Sequence, residues 1–248
     1  MRAYKTLMVM LIRSSLREPI GLFFSIVFAP LLVVILGAVF GNDPMPQFGN
    51  RGFVDAILPS CAAMVMGMTG FMLLPISQLQ ARESGALSRL RATPLSPWTY
   101  VAADLTVNTV ITLVGVILAL LVGSLSFGAT MSGSVPGVLG AVLLGLVAFL
   151  TLGYALAAIY PGSKAANGIG NGLFLTSILT SGAFIPTAEV PAGLERIQKV
   201  SPFYYLSELL RGQWTGQAWS QYTTAVVVLV VMTVVCATLG ARLFKWGA

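Results

Sequence analysis

The chain has 248 residues, 56% of them apolar and only 9% charged, with a formal net charge of +6 and no histidine; its mean hydropathy is +0.88. A soluble domain carries roughly a quarter charged residues, so the composition excludes an ordinary soluble enzyme or a disordered chain and points to an integral membrane protein. The lack of histidine removes His-based metal sites, Ser-His triads and His proton relays, and the two cysteines, Cys61 and Cys236, lie inside apolar runs that suit neither a disulfide framework nor a Cys-x-x-Cys site.

Residues 1–18 read as an amphipathic helix lying on a membrane surface. At 100° per residue, Arg2, Lys5, Arg13 and Arg17 fall within about 120°, with Leu7, Met8 and Leu11 opposite. The alternative is a plain basic flank that only sets topology. Pro19 marks the break before the first span. The segment lacks a convincing small-x-small cleavage site, so the first apolar run is expected to be a retained helix.

A membrane-spanning helix needs about 20 mostly apolar residues. The stretches free of Asp, Glu, Lys and Arg are 19–42, 56–81, 105–163, 165–188 and 212–241. The third has room for two spans and is interrupted at 126–137 by a Gly- and Ser-rich turn signal. Six spans are therefore expected, near 20–41, 54–77, 98–125, 137–160, 166–186 and 222–242, in an all-α integral membrane protein of one domain, 1–248. With both termini inside, ten of the fourteen Lys and Arg residues fall on the inner side and four on the outer, which predicts cytoplasmic termini. The basic charge is topological and has no nucleic-acid pattern.

Segment 78–97 is the main cytoplasmic loop. Leu79, Leu87 and Leu90 cluster on one helical face, flanked by Arg82, Arg89 and Arg91, while Gly85 interrupts the helix and Pro94 and Pro97 end it. An apolar ridge edged by arginines suits docking into a groove on a soluble partner; a solvated loop is the other reading. Segment 187–221 lies outside, and its Phe203, Tyr204, Tyr205, Trp214 and Trp219 fit an interfacial aromatic belt or, alternatively, contacts to substrate.

Intramembrane charge, the usual mark of an ion-coupled carrier, is nearly absent. Asp104, near the inner end of the third span, is expected to pair with Arg82, Arg89 or Arg91. The second span is rich in methionine, with Met64, Met68 and Phe71 at i, i+4, i+7; it suits core packing or a surface for varied apolar ligands. The fifth carries a stripe of Asn167, Asn171, Ser177 and Ser181 with Phe174 and Gly170 among them, for helix packing or a pathway lining. No P-loop, no Gly-x-Ser-x-Gly elbow and no acid cluster for two-metal chemistry is present in the sequence.

Three motifs in order bear a family likeness. They are Arg17-Glu18-Pro19 with Pro30 and Phe40-Gly41; Arg82-Glu83-Ser84-Gly85-Ala86-Leu87 with Leu90-Arg91-Ala92-Thr93-Pro94-Leu95; and Ser181-Gly182-Ala183-Phe184-Ile185-Pro186 with Pro191, Leu194, Ile197, Pro202, Tyr205 and Arg211-Gly212. Over essentially its whole length the chain resembles the permease subunit of type-2 ATP-binding-cassette transporters, near the bacterial daunorubicin and multidrug efflux branch. The resemblance implies a non-enzymatic chain in the bacterial plasma membrane, paired with a second copy or a homologous permease among membrane lipids. ATP and Mg would belong to a separate ATPase subunit, with no cofactor in this chain. Arg82, Glu83, Gly85, Leu87, Leu90 and Arg91 would form the coupling helix, 1–18 the connecting helix and 187–221 a lid. The second and fifth spans would line the route, through Met64, Met68, Phe71, Asn167, Asn171, Phe174, Ser177 and Ser181. The expected activity is export of a hydrophobic drug or lipid-like substrate. The rivals are an ATP-independent secondary carrier, ABC export of polysaccharide or other cargo, a lipid-acting membrane enzyme and a pore-like scaffold.

Overall fold

The computed structural model describes residues 2–91, 96–181 and 198–243. Within them the chain is mostly helical, and five helices are long and apolar enough to cross a membrane. The family motifs at 92–95, 182–186, 191, 194 and 197, and the terminal Lys245, lie outside the described residues, as do the side chains of Arg2, Leu90 and Arg91.

Helix α1 (Arg2–Leu16) leads through Glu18 into α2 (Pro19–Phe40), whose Pro19 stands at the first helical position, where a missing N–H costs nothing. The face of α1 that carries Leu7, Met8 and Leu11 turns inward, Leu7 is buried, and α1 packs on the helix Pro97–Phe127. Lys5, Arg13 and Arg17 stay exposed, but Val9, Met10, Ile12 and Leu16 are exposed beside them, so the outward face of α1 is mixed rather than purely basic.

Between α2 and α3 lies a short antiparallel ribbon, β1 (Pro44–Met45) with β2 (Arg51–Gly52), pairing Pro44 with Gly52 and Met45 with Arg51. Gly49 and Asn50 take positive φ to turn the chain between them. The all-α expectation omitted this ribbon, which is too short to leave a period-2 pattern in the sequence.

Helix α3 (Phe53–Glu83) is the axis of the fold: 94% of its apolar window is buried, against 22–28% for the lipid-type helices α2, α5 (Pro97–Phe127) and α9 (Thr223–Leu243). At 1.5 Å per residue α3 is about 46 Å long, well beyond a hydrocarbon core of about 30 Å, so its polar last turns extend past the apolar stretch. The predicted loop at 78–97 thus begins as a continuation of α3; Gly85, at φ +70°, breaks it, and α4 (Ala86–Arg91) follows. Helix α6 (Val135–Ile159) packs along α3 and α9, α7 (Ser163–Thr180) along α3, and α8 (Pro202–Trp214) closes on α3, α6 and α9.

Both α2 and α3 contain a widened turn, Phe23–Val27 and Thr69–Leu73, in which the Phe28 and Leu74 N–H groups reach back five residues to Phe23 and Thr69. The cause is a proline one turn on. Pro30 and Pro75 have no N–H for the carbonyls of Ile26 and Phe71 and crowd them. Glycines of neighbouring helices close over these turns. A Cβ on Gly115 would stand 1.9 Å from the Ser25 carbonyl oxygen, and one on Gly170 2.5 Å from that of Phe71. Glycine therefore lets α5 approach α2, and α7 approach α3, at backbone distance.

Candidate functional site

The end of the bundle that carries Glu83 holds a helical hairpin. Its turn is closed by the Gly85 N–H donating to the Arg82 carbonyl at 3.1 Å. Arg89 braces it twice, its backbone N–H on the Gly85 carbonyl at 3.1 Å and its guanidinium on the Ser84 carbonyl at 3.0 Å. Leu79 and Leu87 are buried, Leu79 beside Tyr160 and Ala166, whereas Arg82 is half-buried and Ser88 and Arg89 exposed. The hairpin thus presents polar and basic groups outward while two leucines of the expected apolar ridge fold back onto the protein. Leu90 and Arg91 belong to α4, with side chains outside the described residues.

Glu83 has a partner that no local pattern announces. Its two carboxylate oxygens accept the Ser163 N–H at 2.7 Å and the Ser163 hydroxyl at 2.5 Å. Those bonds, the hydroxyl's first and the backbone's next, hold the Glu83 carboxyl below the usual carboxylate range, with help from the Lys164 charge.

One helical turn and more from the hairpin, Asp104 is buried, and among the described residues no arginine pairs with it. A single carboxylate oxygen accepts from the Gln78 amide at 2.8 Å, the Asn108 amide at 3.1 Å and the Tyr154 hydroxyl. The Tyr100 hydroxyl donates in turn to Gln78. Among the described residues the expected ion pair with Arg82 or Arg89 is absent, and the third candidate, Arg91, has its side chain outside them. Arg89 is held on the Ser84 carbonyl, and three neutral donors from α3, α5 and α6 solvate the Asp104 carboxylate instead. The cluster pins these three helices together directly beneath the hairpin.

The opposite end is clamped by Asp55, which accepts from the Thr130 N–H at 3.1 Å, the Thr130 hydroxyl at 3.3 Å and the Trp214 indole N–H at 3.2 Å. Asn42 adds to the clamp, donating to the Phe127 carbonyl and accepting the Asp55 N–H. Phe203 and Trp214 are buried in the core rather than set in a lipid-facing belt, because α8 folds onto the bundle; Tyr205 and Trp219 remain at the surface.

The pathway candidates divide. Met64, Met68 and Phe71 are buried inside the chain, with Phe71 edge-on to Phe149. Phe174 and Ser177 of α7 share the buried face with Gly170, and Ser181, just past the helix end, is buried too. Asn167 and Asn171 lie at its rim, exposed and bonded to each other at 2.6 Å. Gly168 and Gly172, on the open side, have nothing within 4 Å of a Cβ position. Ser163, Gln78, Tyr154 and Asn108 were not foreseen; only Asn108, four residues from Asp104 on one helix, left a readable signal.

Compared with known families, residues 2–214 match the family described as ABC-2 type transporter (ABC2_membrane). No curated protein matches the chain.

Proposed function

Because this chain belongs to the ABC-2 type transporter family and so forms the membrane permease component of an ABC transporter, we propose that it is the permease of an ATP-driven exporter. It works with a separate ATPase subunit, in the bacterial plasma membrane, as a pair with a second copy or a homologous permease. The whole chain acts as one transmembrane unit with both termini cytoplasmic. Helix α7 counts as a sixth span, and 187–221 forms an outer lid. Segment 1–18 lies at the inner headgroup boundary, where exposed Lys5, Arg13 and Arg17 meet anionic lipid and Val9, Met10 and Leu16 meet acyl chains.

The observation that carries this reading is the family match over most of the chain; the hairpin supplies its mechanics. ATP binding draws the two ATPase subunits together. Their different affinity for nucleotide in the two states biases the permease, and the hairpins move with them. Rocking of the two permeases then opens a route along the exposed side of α7. Ile169, Leu173, Leu175 and Leu179 make that side largely apolar, with Asn167 and Asn171 as its polar edge, which supports a hydrophobic drug or lipid-like cargo moving outward. Met64, Met68, Phe71, Phe174, Ser177 and Ser181 stand behind this face and set its shape by packing.

The test is affinity purification through a tag on this chain. A copurifying P-loop ATPase, and transport by reconstituted vesicles that stops without nucleotide, are the expected results. Transport by this chain alone on an ion gradient would defeat the reading.

A further inference from the structure

We propose that Glu83 is a tether fastening the inner hairpin to the start of α7, and not a contact to the soluble partner. Its mechanical consequence rests on the hairpin being the ATPase-facing element. The tether itself rests on geometry alone.

The start of α7 lacks what a helix N-terminus needs. Gly162, at the cap position, offers no side-chain oxygen, and the first turn holds no acid. It holds Lys164 instead, a cation at the positive end of the helix dipole. Glu83, from 80 positions earlier, supplies both missing parts: a carboxylate for the dipole and an acceptor for the Ser163 N–H. The absence of a side chain at Gly162 permits this, since a Cβ there would stand 3.0 Å from the Glu83 oxygen. On the other side, Arg89 ties α4 to Ser84 and Gly85, next to Glu83. A continuous set of contacts therefore runs from α4 through Glu83 and Ser163 into α7, whose open face begins at Asn167. With each carboxylate oxygen accepting a bond from Ser163, Glu83 joins parts of one chain.

The experiment uses the full-length chain in lipid nanodiscs, with Cys61 and Cys236 replaced by alanine and spin labels on cysteines at Ser88 and Gly172. Two readouts are taken: hydrogen exchange of the α7 first turn, and the width of the label-to-label distance distribution. Glu83→Ala is expected to speed exchange about fivefold and to broaden the distribution. Glu83→Gln, which keeps the shape without the charge, does both to a lesser degree. In the double variant Glu83→Ala with Gly162→Asp, a local acid at the cap position caps α7 again. Exchange then slows to the wild-type rate while the distribution stays broad, which a purely stabilising role for Glu83 would not produce. A narrow distribution in Glu83→Ala, or its restoration by Gly162→Asp, overturns the tether. So does loss of the copurifying ATPase in Glu83→Ala with α7 exchange unchanged, because Glu83 would then face the partner. Failure of any ATPase to copurify with the wild-type chain strikes the proposed function and leaves the tether standing.

Discussion

Gly170 gives the sharpest test of how α7 is seated. Adding one methyl there puts a Cβ 2.5 Å from the Phe71 carbonyl oxygen. A carbon–oxygen contact settles near 3.3 Å or more, so α7 must withdraw by about 0.8 Å or the widened turn of α3 must give. Both sides of the contact are backbone, and Phe71 is itself packed on Phe149, so neither side yields cheaply. Overpacking of this kind costs about 1–3 kcal/mol, against which alanine regains roughly 0.5–1 kcal/mol of helix preference. Gly168 and Gly172 on the same helix are internal controls. With open space at their Cβ positions, Gly168→Ala and Gly172→Ala keep the helix gain and carry no clash within the single chain. Thermal unfolding of the purified chain in detergent should place Gly170→Ala below wild type and both controls at or above it. At about 2–4 °C per kcal/mol, the gap from the controls is several degrees. If Gly170→Ala melts together with Gly172→Ala, the close seating of α7 on the Phe71 carbonyl is wrong.

Gly115→Ala should be harsher, because its Cβ would lie 1.9 Å from the Ser25 carbonyl oxygen; loss of monodisperse protein on size exclusion is the expected outcome, and normal yield would contradict it. Asp104→Ala leaves the buried amide of Gln78 and hydroxyl of Tyr154 without their acceptor and should lower stability by about 2–4 kcal/mol. Combined with Tyr154→Phe it should cost less than the sum of the two, and strict additivity in a denaturation cycle would deny the cluster. The Glu83 carboxyl, held below its ordinary value of 4.5, contributes fully above that pH and loses its contribution as pH falls through the lower folded-state value. Protection of the α7 first turn, corrected for intrinsic exchange, should therefore stay constant from pH 8 to about 5 and fall below that range. Glu83→Gln should show no such fall, and an identical profile would refute the assignment.

Span positions were legible because an apolar run is a local property. The charge-free stretches at 19–42 and 56–81 lie close to α2 and most of α3, and the Gly and Ser cluster at 126–137 brackets the turn before α6. Gly85 was readable as a break for the same reason: positive φ is a local demand that glycine meets. What a helix face touches is not local. The Met64–Met68–Phe71 spacing suggested a distinct face, but α3 is buried on every side from Ile57 to Met72, and periodicity cannot say what a helix face touches. The polar stripe of α7 splits between a buried face at Phe174 and Ser177 and an exposed rim at Asn167 and Asn171, since angular proximity on a wheel does not fix where burial ends. Asp104 was matched to the nearest arginines by charge, yet inside the bundle three neutral donors do the work without the desolvation cost of a second ion. The Glu83–Ser163 pair joins residues 80 apart, and no spacing rule reaches that far.

The central claim is that the hairpin after α3 lies inside the cell and is gripped by a separate ATPase. A photo-crosslinking residue in place of exposed Ser88, in cells expressing the intact transporter, tests it most directly, with Asn50 in the ribbon loop at the opposite end as the control. The account predicts a crosslink from position 88 to a P-loop ATPase and none from position 50. Labelling of position 88 by a membrane-impermeant reagent added outside intact cells, with no ATPase captured there, would contradict it.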